Sequence, residues 1–387
     1  MKRYDIIIAG GGMAGLSLCY YLSQSSLRES SILLINREVK NRNDRTWCFW
    51  ESGAGPFESI VFRKWQSIEF FSNTFSGPLP IEGFEYKMLR SIDFYEFIHQ
   101  QLVHLPNLEV KYADIESIND TEAGGLVCTA DESFLGNHVF DSISALEQNQ
   151  PGRHNLLQHF TGWVITTERD CFTAERLRLM DFRVNQQNDC RFFYILPFDK
   201  RTALVEYTIV SHQTLPEQEY KDALHNYIDT FLDTGSYQIN ETEVGAIPMS
   251  DATVAEHPLN HVIRIGTSGG YTKPSTGYTF TRTQHALREL VTNLARTGQL
   301  VPKKRSINGW VKSSLDSFFL NVLTNNRHPA DDIFTRLFAH NSPNLILRFM
   351  DEDTTVAEDM RIIGSMPIGA FVVAAFDTIL KKLKSRF

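Results

Sequence analysis

The sequence lacks the residue spacings on which metal centres and disulfide frameworks depend. Its five cysteines are scattered along 387 residues and form no CxxC pair, and its twelve histidines form no HExxH motif. An odd number of dispersed cysteines argues against a disulfide-stabilised secreted domain and against a zinc knuckle. We therefore predict no metal site and a protein of the reducing cytosol.

Long apolar runs and an excess of basic residues are also missing. The segment MPIGAFVVAAF near the C-terminus is well short of the roughly 20 residues that span a bilayer, so we predict no transmembrane helix. Acidic residues outnumber basic ones, 46 to 38. This balance argues against nucleic acid as the main partner.

A glycine loop near the N-terminus is the strongest local signal. YDIIIA is typical of a buried strand, and it leads through Gly10, Gly12 and Gly15 into a segment with helical spacing. Gly10 permits a tight turn, Gly12 lets a pyrophosphate approach the backbone, and Gly15 lets the helix pack closely on the strand. The pattern predicts a dinucleotide-binding loop; a glycine turn without a ligand is the alternative.

The second predicted strand, SILLIN, ends in an amide rather than the usual acid. Asn36 stands where dinucleotide-binding proteins place a carboxylate that binds the ribose. An amide can still hydrogen-bond a hydroxyl, but without the strength of a charged partner. The loop alone therefore leaves FAD and NAD both open.

Two further segments could contact a cofactor. HVIRIGTSGGYTKPSTGY (residues 261–278) predicts a strand, a long glycine-rich loop and a helix starting near Gly277; a flexible surface loop is the alternative. HVF (residues 138–140) predicts a strand that ends at Asp141 and Ser142, beside a cofactor or in a simple Asp-Ser turn.

One carboxylate lies inside an apolar run of a predicted hairpin. CRFFYILPF, the turn DKR and TALVEYTIV alternate as two paired strands. Leu204, Glu206 and Thr208 share one face, while Val205 and Tyr207 share the other. Neither face is polar. By pattern alone, Glu206 is either a solvated or salt-bridged strand residue or a buried functional acid. Nearby Phe192, Phe193, Tyr194 and Trp163 are interpreted first as core residues.

Several motifs, in order along the whole chain, resemble those of bacterial lycopene β-cyclases. The motifs are GGGMAGLSL, NDRTWCFWE, VFDSI, LQHFTGWVI, LPFDKRTALVEYT, GAIPM, GGYTKPSTGY and FMDEDTT. The resemblance implies an α/β fold: a Rossmann-like FAD-binding domain of the flavin-monooxygenase type, a β-sheet-rich substrate domain and a helical C-terminal part.

The resemblance also implies a reaction and a cofactor. The family cyclises the ψ end groups of lycopene to β-ionone rings, giving β-carotene by way of γ-carotene, without net redox change but with FAD in its reduced form and NAD(P)H as electron source. Its proton-donating carboxylate maps to Glu206. A FAD-dependent monooxygenase or other flavin oxidoreductase acting on a lipophilic substrate, and a non-catalytic flavin- or lipid-binding protein, are the alternatives.

The glycine loops and the resemblance together give a set of predicted cofactor contacts. These are Gly10, Gly12, Met13, Ala14, Gly15, Asn36, Arg37, Arg45, Asp141, Gly266, Gly269, Pro274, Gly277 and Tyr278. We predict that residues 1–60, 115–150 and 255–298 form a discontinuous FAD-binding domain. Residues 60–114 and 151–254 would form the substrate-binding domain, and residues 299–387 the helical part.

The C-terminal segment suggests how a bilayer-dissolved carotenoid could be reached. Val372, Phe376, Ile379, Leu383 and Phe387 follow helical spacing, next to a basic group composed of Lys381, Lys382, Lys384 and Arg386. A basic amphipathic helix suits an anionic membrane surface. We therefore expect a cytoplasmic protein, peripheral on the inner membrane; the alternative is a helix that packs on the protein body.

Overall fold

The structure is a computed structural model that describes residues 1–300 and 307–384. The strands in these ranges are β1 Lys2–Ala9, β2 Ile32–Asn36, β3 Thr46–Glu51, β4 Arg63–Trp65, β5 Ser67–Phe71, β6 Ser76–Pro80, β7 Glu85–Arg90, β8 Leu108–Tyr112, β9 Ile115–Thr121, β10 Gly124–Thr129, β11 Ser133–Asp141, β12 Asn155–Thr167, β13 Arg176–Asp181, β14 Cys190–Pro197, β15 Thr202–Ser211, β16 Tyr237–Ser250 and β17 Val262–Arg264. The α-helices are α1 Met13–Ser23, α2 Ser91–Gln101, α3 Glu217–Phe231, α4 Phe280–Thr297, α5 Ile307–Thr324, α6 Ala330–His340, α7 Pro343–Met350, α8 Val356–Ser365 and α9 Ile368–Lys384.

The first sheet places the two glycine loops at one edge. Its strand order is β8-β2-β1-β11-β10-β9, and β17 pairs with β11. β1, β11 and β17 run parallel, with Ala9 opposite Asp141 and Asp141 opposite Arg264. Parallel strands in register end at the same level, so the segments that follow them meet there. The predicted strand–loop–helix units around both loops are confirmed.

One predicted boundary is wrong. Residues 60–114 were expected wholly within the substrate-binding domain, but β8 pairs in parallel with β2 and so completes the first sheet. Side chains of α2, such as Phe94 and Ile98, share a core with Ile6 and Leu16 of the first sheet and α1. The outer edge of β2 needs a hydrogen-bonding partner, and this distant segment supplies it.

The second sheet contains the predicted hairpin. Its order is β16-β12-β15-β14-β13-β5-β6, and β14 pairs antiparallel with β15. Val205 and Tyr207 pack in a core with side chains of α3. Leu204 packs on the opposite face, in a core that also contains Trp50 and side chains of the C-terminal helices. Both faces are covered, which explains why neither face of β15 is polar.

Helix α9 presents an apolar face to solvent and ties its polar face to the body. Val372, Phe376, Ile379 and Leu383 are exposed, Phe376 by 68%. On the other side, Lys382 pairs with Asp251 and donates to Ser317, and Asp377 accepts from Asn321 and Arg327. Lys382 thus faces inward rather than joining a basic outer surface. Arg386 and Phe387 lie outside the described residues.

Among the helices within residues 1–300 and 307–384, no single one is long and apolar enough to cross a membrane. Only α8 and α9, taken together across a bend of 115°, satisfy that criterion.

A buried ion cluster joins the second glycine loop to the C-terminal helices. Lys273 in the loop lies 2.9 Å from Asp316 on α5 and 2.9 Å from Glu352, the latter also paired with Arg282 on α4. Ser275 donates a second hydrogen bond to Asp316. Since Lys273 is almost wholly buried, its charge depends on these carboxylates.

We predict that Lys273→Met destabilises the protein strongly. Removing Lys273 leaves Asp316 buried without its counter-ion, while Glu352 keeps only Arg282; breaking a buried pair in this way costs about 3–5 kcal/mol. Urea unfolding followed by circular dichroism measures the change in the free energy of unfolding. The matched control is Lys221→Met, which breaks an exposed pair with Glu217 on α3 and should cost at most about 1 kcal/mol. Equal effects would contradict the prediction.

Candidate active site

The first glycine loop forms an open cradle at the start of α1. Gly10 has φ +104°, and a Cβ on Gly15 would collide with the carbonyl oxygen of Gly10. Beside Gly12, by contrast, a Cβ would meet no atom within 4 Å. Gly12 is the N-cap of α1 and supplies no side-chain cap. The first amides of the helix are therefore available to an anion such as a phosphate.

The side chains of Asn36 and Arg37 contact neighbouring groups of the protein. The side-chain oxygen of Asn36 accepts a hydrogen bond from Gly11 N–H (3.2 Å), and its amide group donates to the carbonyl of Glu38 (2.6 Å). Arg37 is exposed and pairs with Asp114. In the structure Asn36 thus positions the loop, while contacts of either side chain with a cofactor stay predictions.

Asp141 stabilises a turn next to this loop. Its carboxylate accepts hydrogen bonds from the amides of Ile143 (3.0 Å) and Ser144 (2.9 Å). Ser142 donates to the carbonyl of Ala9 (2.8 Å) and lies where a side chain on Gly10 would be. The Asp-Ser turn therefore supports the first loop, and direct contact of Asp141 with a cofactor stays a prediction.

The second glycine loop begins against the first. Gly266 has φ +63°, and a Cβ on it would lie only 2.7 Å from the Cβ of Ala14 in α1. Ser268 donates to the carbonyl of Ser144 (2.6 Å), and Gln284 of α4 donates to Ser17 of α1 (3.0 Å). Gly269 closes a turn by donating to the carbonyl of Gly266. The second loop is thus held directly against the first loop and helix α1.

The second loop ends at the second sheet. Gly277 has φ +75°, and a Cβ on it would lie 3.1 Å from the side-chain oxygen of Gln158 on β12. Pro274 follows the buried Lys273, and the hydroxyl of Tyr278 lies 3.0 Å from that of Tyr86 on β7. A ligand bound along this loop would run from the open cradle toward the second sheet. An elongated dinucleotide fits that arrangement.

Glu206 lies on the face of the second sheet that the C-terminal helices cover. Thr208, two residues along β15, donates to its carboxyl oxygen at 2.7 Å. The side chain is deep in the protein and keeps some accessible surface. Burial, and then the charge of Glu243, raise its pKa to about 8. Glu206 is therefore a neutral acid at pH 7.

The Cys48 thiol and the Tyr194 phenol near Glu206 are uncharged at neutral pH. Tyr194 stands directly opposite Glu206 in the β14–β15 register. Cys48 of β3 is close enough for its pKa to respond to Glu206, and Trp50 meets the ring of Tyr278 edge to face at 4.7 Å. Burial raises the pKa values of the Tyr194 phenol and the Cys48 thiol well above their ordinary values. The acid thus has aromatic and neutral polar neighbours.

Comparison with protein families identifies the chain. The family model described as "Lycopene cyclase protein" matches residues 5–376. The chain belongs to the lycopene cyclase family. The resemblance found in its motifs is thereby confirmed.

One curated relative of this lycopene cyclase family member is the lycopene beta-cyclase of Pseudescherichia vulneris. The two sequences are 26% identical over 291 residues, which cover 71% of this chain and 70% of the relative.

Two solved structures show the fold. A geranylgeranyl bacteriochlorophyll reductase-like protein from Thermoplasma acidophilum has a TM-score of 0.68 at 12% identity, and covers 97% of this chain and 100% of its own. A triple mutant of the flavin-dependent brominase Bmp2 has a TM-score of 0.62 at 14% identity, with coverage of 92% and 97%. The predicted flavoprotein fold is confirmed.

In this lycopene cyclase family member, the alternation of side chains along the strands places the aromatic residues on different faces of the second sheet. Phe193 stacks on Tyr227 of α3 at 3.8 Å between ring centroids, and Trp163 belongs to the same core on the α3 face. Phe192 packs on the opposite face, in the core beneath the C-terminal helices. Of the four aromatics noted in the sequence, Tyr194 is the one directly opposite Glu206.

Sequence reasoning missed a second carboxylate, Glu243. It lies on the edge strand β16, within a segment whose acidic and polar residues, NETE, are typical of a solvated strand. In the structure Glu243 accepts hydrogen bonds from the amide (3.0 Å) and hydroxyl (2.7 Å) of Thr46. The predicted contact residue Arg45 precedes Thr46, and its charge acts on Glu243. The only local feature in the sequence was a glutamate shortly before the motif GAIPM. The position of Glu243 opposite Gly162 depends on how β16 pairs with β12.

Proposed function

We propose that this protein is a lycopene β-cyclase, an isomerase of the intramolecular lyase class that forms β-ionone rings at the ends of lycopene. β-Carotene would arise by way of γ-carotene, and Glu206 would donate the proton that starts each ring. The observation that carries the proposal is a neutral carboxylic acid on an apolar, covered sheet face, in a chain that belongs to the lycopene cyclase family.

The chemistry explains why such an acid is needed. Ring closure starts when a proton adds to the terminal double bond, and the resulting tertiary cation is attacked by the neighbouring double bond. An alkene is a very weak base, so the donor must be held protonated and close to it. Burial of Glu206 meets the first requirement because it disfavours the carboxylate. The covering helices limit access of water, which would otherwise capture the cation.

FAD is the proposed cofactor. The open cradle at Gly12 and the adjoining second loop fit a dinucleotide, and a flavin-dependent brominase shares the fold. When bound in its reduced form, FAD supplies negative charge that stabilises a nearby cation; NAD(P)H is the proposed electron source. Tyr194 and Trp50 contribute aromatic rings, which stabilise cations through their faces. Thr208 fixes the orientation of the Glu206 carboxyl group.

A membrane surface is the proposed place of substrate uptake. A carotenoid dissolves in the bilayer, and α9 exposes Val372, Val373, Phe376, Ile379, Leu380 and Leu383. Lys381 and Lys384 border this apolar face and suit anionic lipid headgroups. The bonds of Asp377 and Lys382 to the body fix which face points outward. We propose a cytoplasmic protein bound peripherally to the inner membrane, in keeping with its five free cysteines.

Replacing the acid should abolish cyclisation. Glu206→Gln keeps the side-chain shape but removes the acidic proton, so we expect a rate loss of at least about 10²–10⁴-fold. Pigment from lycopene-producing bacteria should stay red with the variant and turn to β-carotene with the wild type. FAD binding should be unchanged. Normal cyclisation by the variant would refute the role of Glu206, and hydroxylated pigment from the wild type would favour a monooxygenase instead.

The rate should depend on pH through the acid. The neutral form of Glu206 donates the proton, and its pKa is raised to about 8. The rate should therefore fall about tenfold per pH unit above that value. Initial rates with reduced FAD, measured from about pH 6 to about pH 10, test this. A fall that begins near the ordinary glutamate pKa of about 4.3 would contradict it.

The exposed face of α9 should determine membrane binding. Phe376→Ser combined with Leu380→Ser removes apolar area from the surface, so binding to anionic liposomes should weaken by about tenfold or more. Co-sedimentation at low ionic strength measures the bound fraction. The control combines Val103→Ser with Ile239→Ser, two exposed apolar positions in other elements. Equal binding by both double variants would contradict membrane docking through α9.

A further inference from the structure

Glu206 and Glu243 lie on either side of Gly162 on one face of the second sheet. We call the space above Gly162 the gap. Both pair with Gly162 of β12, Glu206 from β15 and Glu243 from β16. Directly opposed residues of antiparallel strands point to the same face, so the two carboxyl groups flank a residue that has no side chain. Neighbouring strands are about 4.8 Å apart, which places the two backbones roughly 10 Å from each other.

Gly162 keeps the floor of this gap open. A Cβ there would lie 2.9 Å from a methyl carbon of Leu204 and 3.3 Å from the Cβ of Glu206. Any side chain at this position would therefore press on the acid or fill the space between the two carboxyl groups. Between the two carboxyl groups the sheet therefore presents only the backbone of Gly162.

The two carboxyl groups have different hydrogen-bond donors. Glu243 accepts one hydrogen bond on each oxygen, both from Thr46, whereas Glu206 accepts one from Thr208. Hydrogen bonds to a carboxylate favour its ionised form. Burial raises the pKa of Glu243 above its ordinary value, but the two hydrogen bonds from Thr46 and the charge of Arg45 oppose that rise. Since two buried carboxylates cannot both ionise at low cost, the shared proton belongs on Glu206 and the charge on Glu243.

Other groups near Glu206 and Glu243 do not change which of the two is protonated. Six titratable or charged side chains lie near the two carboxyl groups. They are Arg45, Cys48, Tyr86, Tyr194, Glu241 and Tyr278. Burial raises the pKa of the thiol and of the three phenols, so all four are neutral at pH 7. Arg45 supports an ionised Glu243, and Glu241, which has the smaller effect, opposes it.

We propose that Glu243 is the base that removes the ring proton in the reaction that Glu206 starts. This inference rests on the proposed cyclase function. The O–H bond of Glu206 breaks and a C–H bond forms at the terminal alkene carbon. After ring closure, the ring C–H bond breaks, its electrons form the ring double bond, and the proton passes to Glu243. The pair holds one proton and one negative charge before and after, and transfer of that proton back to Glu206 restores the starting state.

The test compares Glu243→Gln with Glu241→Gln, an exposed position on the same strand. In Glu243→Gln, we expect cyclisation to slow by about 10²-fold, as for loss of a general base. The alkaline limb of the rate should move down by about one pH unit, because Glu206 loses a neighbouring negative charge. Lycopene deuterated at the ring-forming carbon should show a larger isotope effect than in the wild type. Glu241→Gln leaves the Glu243 carboxylate in place and should keep the rate and the isotope effect of the wild type.

Further measurements separate a base from a structural role. Glu243→Asp keeps a carboxylate and should recover part of the rate, whereas a purely structural role gives no reason for a changed isotope effect. Infrared titration of the substrate-free protein with ¹³C-labelled glutamate, using Glu206→Gln to assign the signal, should show the pKa of Glu206 falling in Glu243→Gln.

Two outcomes would overturn the proposal, and they differ. A wild-type protein that cyclises lycopene, with a Glu243→Gln variant of unchanged rate, alkaline limb and isotope effect, would overturn the base role alone. A wild-type protein that leaves lycopene unchanged, although Glu206 and Glu243 titrate as a coupled pair, would overturn the proposed function and the base role with it.

Discussion

Removing Glu206 from water is the constraint on which the site depends. A carboxyl group on an open sheet face would ionise below pH 5 and could not protonate an alkene. Burial requires that the face carrying Glu206 be covered, which the C-terminal helices do, while α3 covers the other face. Both faces of β15 are apolar because a sheet covered on both sides has no solvated face.

The second glycine loop makes the two sheets parts of one site. It starts beside Ala14 at the edge of the first sheet and ends at Tyr278, which meets Tyr86 near the acid. Within the loop, Lys273 is tied to Asp316 and Glu352. The segment that approaches the cofactor cradle is thus also bonded to the helices that cover Glu206. Displacing those helices would disturb the loop as well as expose the acid.

Features encoded by consecutive residues could be predicted from the sequence. Features that depend on contacts between residues far apart in sequence could not. The loop at Gly10 and the hairpin containing Glu206 follow from short-range periodicity and turn residues. The partnership of Glu243 with Glu206 depends on the register of three strands that are far apart in sequence. Likewise, nothing near residue 382 indicates that Lys382 pairs with Asp251. Hydrophobic periodicity and composition indicate which residues share a face of a strand or helix. Which other segments that face contacts depends on the tertiary structure.

The raised pKa of Glu206 overstates how difficult its deprotonation would be in the proposed cyclisation. Titration sends the proton to water and leaves an isolated charge in a poorly solvated site. Protonation of an alkene instead leaves the carboxylate next to a new cation. At about 4 Å, the attraction between such charges is on the order of 4 kcal/mol at an effective dielectric constant near 20, which offsets much of the desolvation cost. An ionised Glu243 adds attraction to the cation from the other side of the gap. The same burial therefore keeps the acid protonated at rest and strengthens the ion pair formed when it reacts.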